Sequence, residues 1–150
     1  GCTHIPKGTV MGRAISGRRY LRRRQASYPR PLFFCCELDG ITDDAISMNV
    51  AIARRLADIS PTLRSIRLES CFVSALTDLP EGVVIRDIDV LFNPAYKVDV
   101  VALLCSAYRK HHFDLVWPGR FEDSQLLYAV EGCQDYKAFD IDRYDITCIY

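Results

Sequence analysis

Nowhere in the 150 residues is there an apolar run near the ~18 residues that a membrane-spanning helix needs, and the N-terminus lacks the apolar core of a signal peptide. A cytoplasmic protein with no membrane partner is therefore expected. The seven cysteines (Cys2, Cys35, Cys36, Cys71, Cys105, Cys133, Cys148) include no CxxC pair and no regular spacing, which argues against a zinc site or a disulfide framework. Most sit in apolar runs, where a reduced thiol behaves as a small hydrophobe, so core thiols are expected. Histidine is scarce as well: only His4, His111 and His112 are present, and nothing in their spacing joins them to a thiol or to a set of metal ligands. The most informative absence is of acid. Residues 1–36 contain no Asp or Glu but eight basic side chains, Lys7, Arg13, Arg18, Arg19, Arg22, Arg23, Arg24 and Arg30. The remaining residues carry 11 basic and 19 acidic groups, so the formal net charge of zero is a cancellation between two unlike segments. Such asymmetry points to an anionic partner.

What is present, 49% apolar and 25% charged residues, suits one globular domain. Composition divides the chain into a basic segment, residues 1–31, and an α/β domain over residues 32–150. Leu32-Phe33-Phe34-Cys35-Cys36 reads as a buried strand with a turn at Glu37-Leu38-Asp39-Gly40. Met48, Ile52, Leu56 and Ile59 recur on one helical face that stops before Pro61, and Leu68, Phe72, Leu76 and Leu79 repeat the pattern before Pro80. Val83-Val84-Ile85 begins a strand expected to run through Arg86-Asp87-Ile88-Asp89 into Val90-Leu91-Phe92. Asp99 is a candidate N-cap for a helix bearing Val100, Val101, Leu104, Cys105 and Tyr108. Phe113-Asp114-Leu115-Val116-Trp117 is a further strand, cut off by Pro118-Gly119. Short alternating runs around residues 126–130, 136–139 and 146–150 suggest a hairpin-like C-terminal β extension. Strands alternating with helices imply an α/β fold with a mostly parallel sheet.

Open parallel sheets bind ligands beyond the carboxyl ends of their strands, where the sequence places Arg86, Asp87 and Asp89. An acid there could hold Mg²⁺ beside nucleotide phosphates, or simply be solvated; Asp87 is the candidate metal-linked, catalytic acid. Gly12-Arg13-Ala14-Ile15-Ser16-Gly17-Arg18-Arg19 matches both glycines of the phosphate-binding pattern G-x-x-x-x-G-K-[ST]. Gly12, Ser16, Gly17, Arg18 and Arg19 are thus candidate nucleotide-binding residues, with ATP and Mg²⁺ the implied cofactors. Arg18 stands where lysine reaches phosphate, and Arg19 stands where a hydroxyl would ligate the metal, which a guanidinium cannot do. The same arginines, Arg18, Arg19, Arg22, Arg23 and Arg24 around Tyr20, are equally the footprint of contacts to a DNA backbone, or a solvated arm. Arg109-Lys110-His111-His112 close a helix, where cations offset its dipole. Trp117 is expected in core or rim packing near any bound ligand.

Three blocks together resemble a known family. They are Met48-Asn49-Val50-Ala51-Ile52-Ala53-Arg54-Arg55-Leu56, then Ile88-Asp89-Val90-Leu91-Phe92-Asn93-Pro94, then Trp117-Pro118-Gly119 followed by Leu127-Tyr128-Ala129, Gly132 and Asp135-Tyr136. Their order and spacing, over about residues 46–140, resemble BrxF, the small P-loop-containing protein of BREX-type bacteriophage-defence systems. The resemblance implies a three-layer P-loop NTPase-like fold, bacterial antiviral defence, and other BREX proteins as partners, among them a DNA methyltransferase and a large ATPase. The chain departs from the family pattern at two places. Arg86-Asp87 stands where the family has D-N, and Arg18-Arg19 occupy the loop positions, so ATP binding with weak or absent hydrolysis is the expectation. An acid-free, arginine-rich stretch over residues 1–36 is also what a frameshifted or truncated N-terminus would look like.

Overall fold

The computed structural model describes residues 11–22 and 28–150. Its centre is a parallel six-stranded sheet in the order β1-β9-β2-β5-β4-β3, formed by β1 (Arg13–Ile15), β2 (Leu32–Phe34), β3 (Ile46–Ser47), β4 (Val83–Arg86), β5 (Phe113–Val116) and β9 (Thr147–Ile149). A separate antiparallel sheet joins β6 (Arg120–Glu122), β7 (Gln125–Tyr128) and β8 (Lys137–Asp140). Successive strand residues face opposite ways, and the sequence uses this fully in β2. Phe33 points to one side, into a core with Ile85, Phe113, Leu115 and Cys148, while Leu32 and Phe34 point to the other, beside Ile149. Both faces of β2 are buried, which is why its five-residue apolar run shows no alternation.

The first face is covered by α2 (Asn49–Ala57), α3 (Arg64–Thr77) and α4 (Val100–Tyr108), with α2 packed on α3 and α3 on α4. Ile52 and Leu56 of α2, with Met48 just before it, are buried, as are Leu68, Cys71, Phe72, Ala75 and Leu76 of α3. The spacing read from the sequence is therefore the buried face. α4 starts where its cap predicts: the Asp99 Oδ1 accepts the Ala102 N–H at 3.1 Å. The second face has lighter cover, from Tyr20 of α1 (Gly17–Arg22) and from Leu38 and Ile41 in the connection over residues 35–45. The result is an α/β fold with helices, a mostly parallel sheet and a second covering layer.

Three expectations change. The strand after Gly82 does not reach Phe92: it ends at Arg86, Asp87 takes a left-handed conformation at φ 55°, and Asp89–Phe92 is a 3-10 turn. Residues 147–149 leave the C-terminal extension and enter the main sheet between β1 and β2, so only β6, β7 and β8 form the antiparallel addition. Residues 13–15, in the basic segment, form the edge strand of that same sheet. Among the described residues no helix is long and apolar enough to cross a membrane. Cys71 and Cys148 are buried, whereas Cys133 is exposed and contributes nothing to the core; Cys2 lies outside the described residues.

Candidate functional site

The chain leaves β2 toward β3 at one edge of the sheet, then returns through β4 and β5 and crosses beyond β2 to β9. Connections from β2 and β5 thus depart in opposite directions, and the carboxyl ends of these two strands form the sheet's switch point, where open α/β sheets bind ligands. An ion pair spans that point. Arg86 ends β4, Glu37 follows β2, and β5 lies between them, yet the Arg86 Nη2 donates to both Glu37 oxygens at 2.8 and 2.9 Å. Thr42, fully buried, fixes the acid from beneath by donating to its Oε2 at 2.5 Å, and the Thr42 Oγ1 accepts the Leu38 N–H at 2.9 Å. The Thr42 hydroxyl first, and the Arg86 guanidinium second, hold the Glu37 carboxyl below its ordinary range.

Beside this latch, residues from all three family-like blocks meet. The Asn49 Oδ1, on the first turn of α2, accepts the Val90 N–H at 2.9 Å, while its Nδ2 lies 3.4 Å from the Asp89 Oδ2. The Tyr128 hydroxyl, on β7, donates to the other Asp89 oxygen at 3.0 Å. Its ring stacks on Phe92 at 3.8 Å between centroids, and Phe92 meets the edge of Trp117 at 5.6 Å. The Trp117 Nε1–H donates to the Leu127 carbonyl at 2.9 Å, in the buried joint between the two sheets. Partial burial and the Asp89 carboxylate push the Tyr128 phenol well above the ordinary tyrosine range. Gly119 is demanded by the same joint: a Cβ there would stand 1.8 Å from the Leu127 oxygen.

The nucleotide-site residues expected from the sequence are not brought together. Between Gly12 and Gly17 the chain is the strand β1, not a loop. Its backbone is used by the sheet, with the Arg13 N–H on the Ile146 carbonyl at 2.9 Å and the Gly17 N–H on the Tyr150 carbonyl at 2.6 Å, so these amides cannot wrap a phosphate. The Ser16 Oγ accepts the Arg19 N–H at 3.2 Å, a local cap for α1. Arg18 and Arg19 are exposed on α1, and Arg23 and Arg24 lie outside the described residues. Asp87 is exposed after β4, four strand positions from β1, a distance of about 19 Å across the sheet. The described residues also hold no group of three or more His, Cys, Asp or Glu able to bind a metal ion. Gly12, Gly17, Arg18 and Asp87 therefore do not compose one Mg·ATP site. The strand at the switch point, β2, is followed by residues 35–45, which have neither the G-x-x-x-x-G-K-[ST] pattern nor a helix.

Sequence reasoning singled out Asp87 and missed Asn49, Thr42 and Glu37. The signal for Asn49 was present, since a polar residue with two hydrogen-bonding ends opens an apolar-periodic helix. The Glu37–Arg86 link carries no local signal, being formed across 49 residues. His111 is nine-tenths buried with its Nδ1 3.3 Å from the Glu81 Oε1, so it belongs to the opposite, amino end of the sheet and not to this site. No family model, curated protein or solved structure matches the chain.

Proposed function

We propose that the chain is a BrxF-like, P-loop-fold component of a BREX-type phage-defence system that works by binding its partners, not by hydrolysing nucleotide. One observation supports this above others. The blocks that resemble the family, separated by up to 80 residues, supply Asn49, Asp89, Phe92, Trp117 and Tyr128 to a single network beside the carboxyl ends of the sheet's strands. The nonhydrolytic part follows from the separation of Asp87 from Gly12 and Gly17. The test combines two measurements on the full chain. Phosphate release from ATP with Mg²⁺ should stay at the blank rate, and a tagged chain coexpressed with the system's methyltransferase and large ATPase should retain at least one of them. Turnover that disappears in Asp87→Asn would overturn the first half, and loss of both partners would overturn the second.

A second reading is favoured by the basic edge. Arg13, Arg18, Arg19 and Arg22 are all exposed, and among the described residues none pairs with an acid. The undescribed residues contain no Asp or Glu that could neutralise them. A polyanion such as a DNA backbone is the complementary partner, and its binding should weaken steeply with salt.

A further inference from the structure

Resting on the partner-binding reading above, we propose that Lys97 and Lys137 form a notch for the carboxylate of an acidic side chain on a bound partner protein. The chain has 15 arginines but only four lysines, and two of the four line one hollow, together with Pro94 of a 3-10 turn (Pro94–Tyr96) and Val100 at the start of α4. The other two are accounted for differently: Lys110 pairs with Glu69 at 2.8 Å, and Lys7 lies outside the described residues. No acid lines the hollow, and among the described residues neither Lys97 nor Lys137 has an ion-pair partner. Asp89 and Asp99, which bound the segment in sequence, are engaged elsewhere, on Tyr128 and Asn49 and on Ala102 and Tyr144. Asp135, two residues before Lys137, forms no ion pair with it. Two ammonium groups brought to one hollow repel each other, and an anion between them relieves that repulsion.

The backbone points the same way. Lys97 holds a left-handed conformation at φ 53°, which glycine adopts freely and lysine rarely does, so a lysine stands where the turn itself favours another residue. The turn is fixed from its start, where the Asn93 Oδ1 accepts the Ala95 N–H at 3.0 Å. Lys137 stands opposite Tyr128 in the β7–β8 register, and Phe92, stacked on Tyr128, is part of the hollow's lining. The notch therefore adjoins the Asp89–Tyr128 network. Its size selects the ligand: about 10 Å³ admits one oxygen-sized group, which suits a carboxylate oxygen and excludes a whole phosphate. Compact ammoniums act as point charges on such an oxygen, whereas a guanidinium fork suits two. Half-buried Pro94 and Val98 then offer apolar contact to the residues on either side of the bound acid.

The experiment follows the lysines by NMR in the full chain after reductive methylation with isotope-labelled formaldehyde, which keeps their charge. The probes are acetyl-Leu-Glu-Leu-amide, its Gln counterpart, and acetate. The Glu peptide should shift Lys97 and Lys137 saturably and leave Lys110 and Lys7 in place, and the Gln peptide should shift none. Acetate, lacking apolar flanks, should bind at least roughly tenfold more weakly. Lys97→Gln should abolish the shift at Lys137, with unchanged Trp117 emission showing that the variant is folded; if that emission changes, Lys137→Gln read at Lys97 replaces it. Equal shifts at all four lysines, or an equal response to the Gln peptide, overturn the notch. Acetate binding as tightly as the Glu peptide overturns the partner side chain as its occupant. In the coexpression assay, Lys97→Gln combined with Lys137→Gln should lower retention of the methyltransferase or the large ATPase, and unchanged retention overturns the docking role. If the wild-type chain retains neither protein, the partner-binding reading fails instead, and the peptide titration still decides the notch.

Discussion

Replacing Tyr128 tests the joint between the two sheets one interaction at a time. Tyr128→Phe keeps the ring on Phe92 and deletes only the hydroxyl that donates to Asp89 at 3.0 Å. A hydrogen bond to a charged acceptor contributes about 1.5–3 kcal/mol when well buried; Asp89 is exposed and Tyr128 half-buried, so a loss of about 1 kcal/mol is expected. In a chain of this size that corresponds to roughly 2–4 °C in Tm. Tyr128→Ala also removes the stacked ring and should cost about 3 kcal/mol. The assay is supplied by the protein. Trp117 is the only tryptophan, 3% exposed, and its ring edges both Phe92 and Phe139, so its emission reports directly on this joint. Urea unfolding followed at Trp117 should give the ordering wild type, Tyr128→Phe, Tyr128→Ala, with the native emission red-shifted only in the alanine variant. A cycle with Asp89→Asn should return a coupling of about 0.5–1 kcal/mol. Stability of Tyr128→Phe equal to wild type, together with an unmoved Trp117 band in Tyr128→Ala, would show that the network neither joins the sheets nor orders the edge.

Other consequences follow from single contacts. Gly119→Ala drives a methyl group into the Leu127 carbonyl that Trp117 already uses, and should lower stability by at least about 2 kcal/mol in the same urea assay. Asp99→Ala removes the α4 cap and the acceptor of the Tyr144 hydroxyl at 2.5 Å, costing about 1–2 kcal/mol by thermal unfolding. Tyr144 is pushed up to about 12 by burial and by Asp99, so absorbance titration should find it protonated after exposed tyrosines have ionised; its stabilisation is complete below the unfolded value near 10 and is lost as pH rises through 12. Glu37 shows the opposite sign. With its folded pKa below the ordinary 4.5, the link to Arg86 is intact above that value and fades as pH falls through the lowered one, and Glu37→Gln should flatten that acid limb of a stability–pH profile.

The parts of the fold legible in the sequence are those whose side chains answer to one periodicity. Leu68, Phe72 and Leu76 fall on one face of α3, and all three are fully buried there, because one stripe of a surface helix meets one core. Asp99 before α4 was readable for a local reason as well: its carboxylate and the Ala102 N–H it caps are three residues apart. Legibility ends where pairing is distant. β3 is two residues long with both side chains exposed, and β1 is a three-residue edge strand containing arginine, so each exists only because a neighbour offers a free sheet edge. The strand expected beyond Arg86 failed for a reason of conformation. Val90-Leu91-Phe92 has strand-like composition, but Asp87 turns left-handed, a conformation Asp tolerates better than most residues, and burial of Leu91 and Phe92 is then achieved by a 3-10 turn.

The same distinction separates the two glycine readings of residues 12–17. A phosphate loop needs six residues whose amides are free of the sheet, and spacing alone cannot say whether they are. Here the Arg13 and Gly17 amides are bonded along the sheet, and both glycines answer to packing. A Cβ at Gly12 would lie 2.5 Å from the Ile141 oxygen, so its smallness serves the close approach of α5 (Ile141–Tyr144) to the start of β1. Gly17 likewise makes room for the Leu38 side chain, 2.8 Å from where its Cβ would stand. Both glycines are accounted for by packing between elements remote in sequence. Arg13, Arg18, Arg19 and Arg22, between and after them, are exposed. Their charge, set in a stretch of 36 residues without an acid and in no ion pair among the described residues, is what remains for function to use.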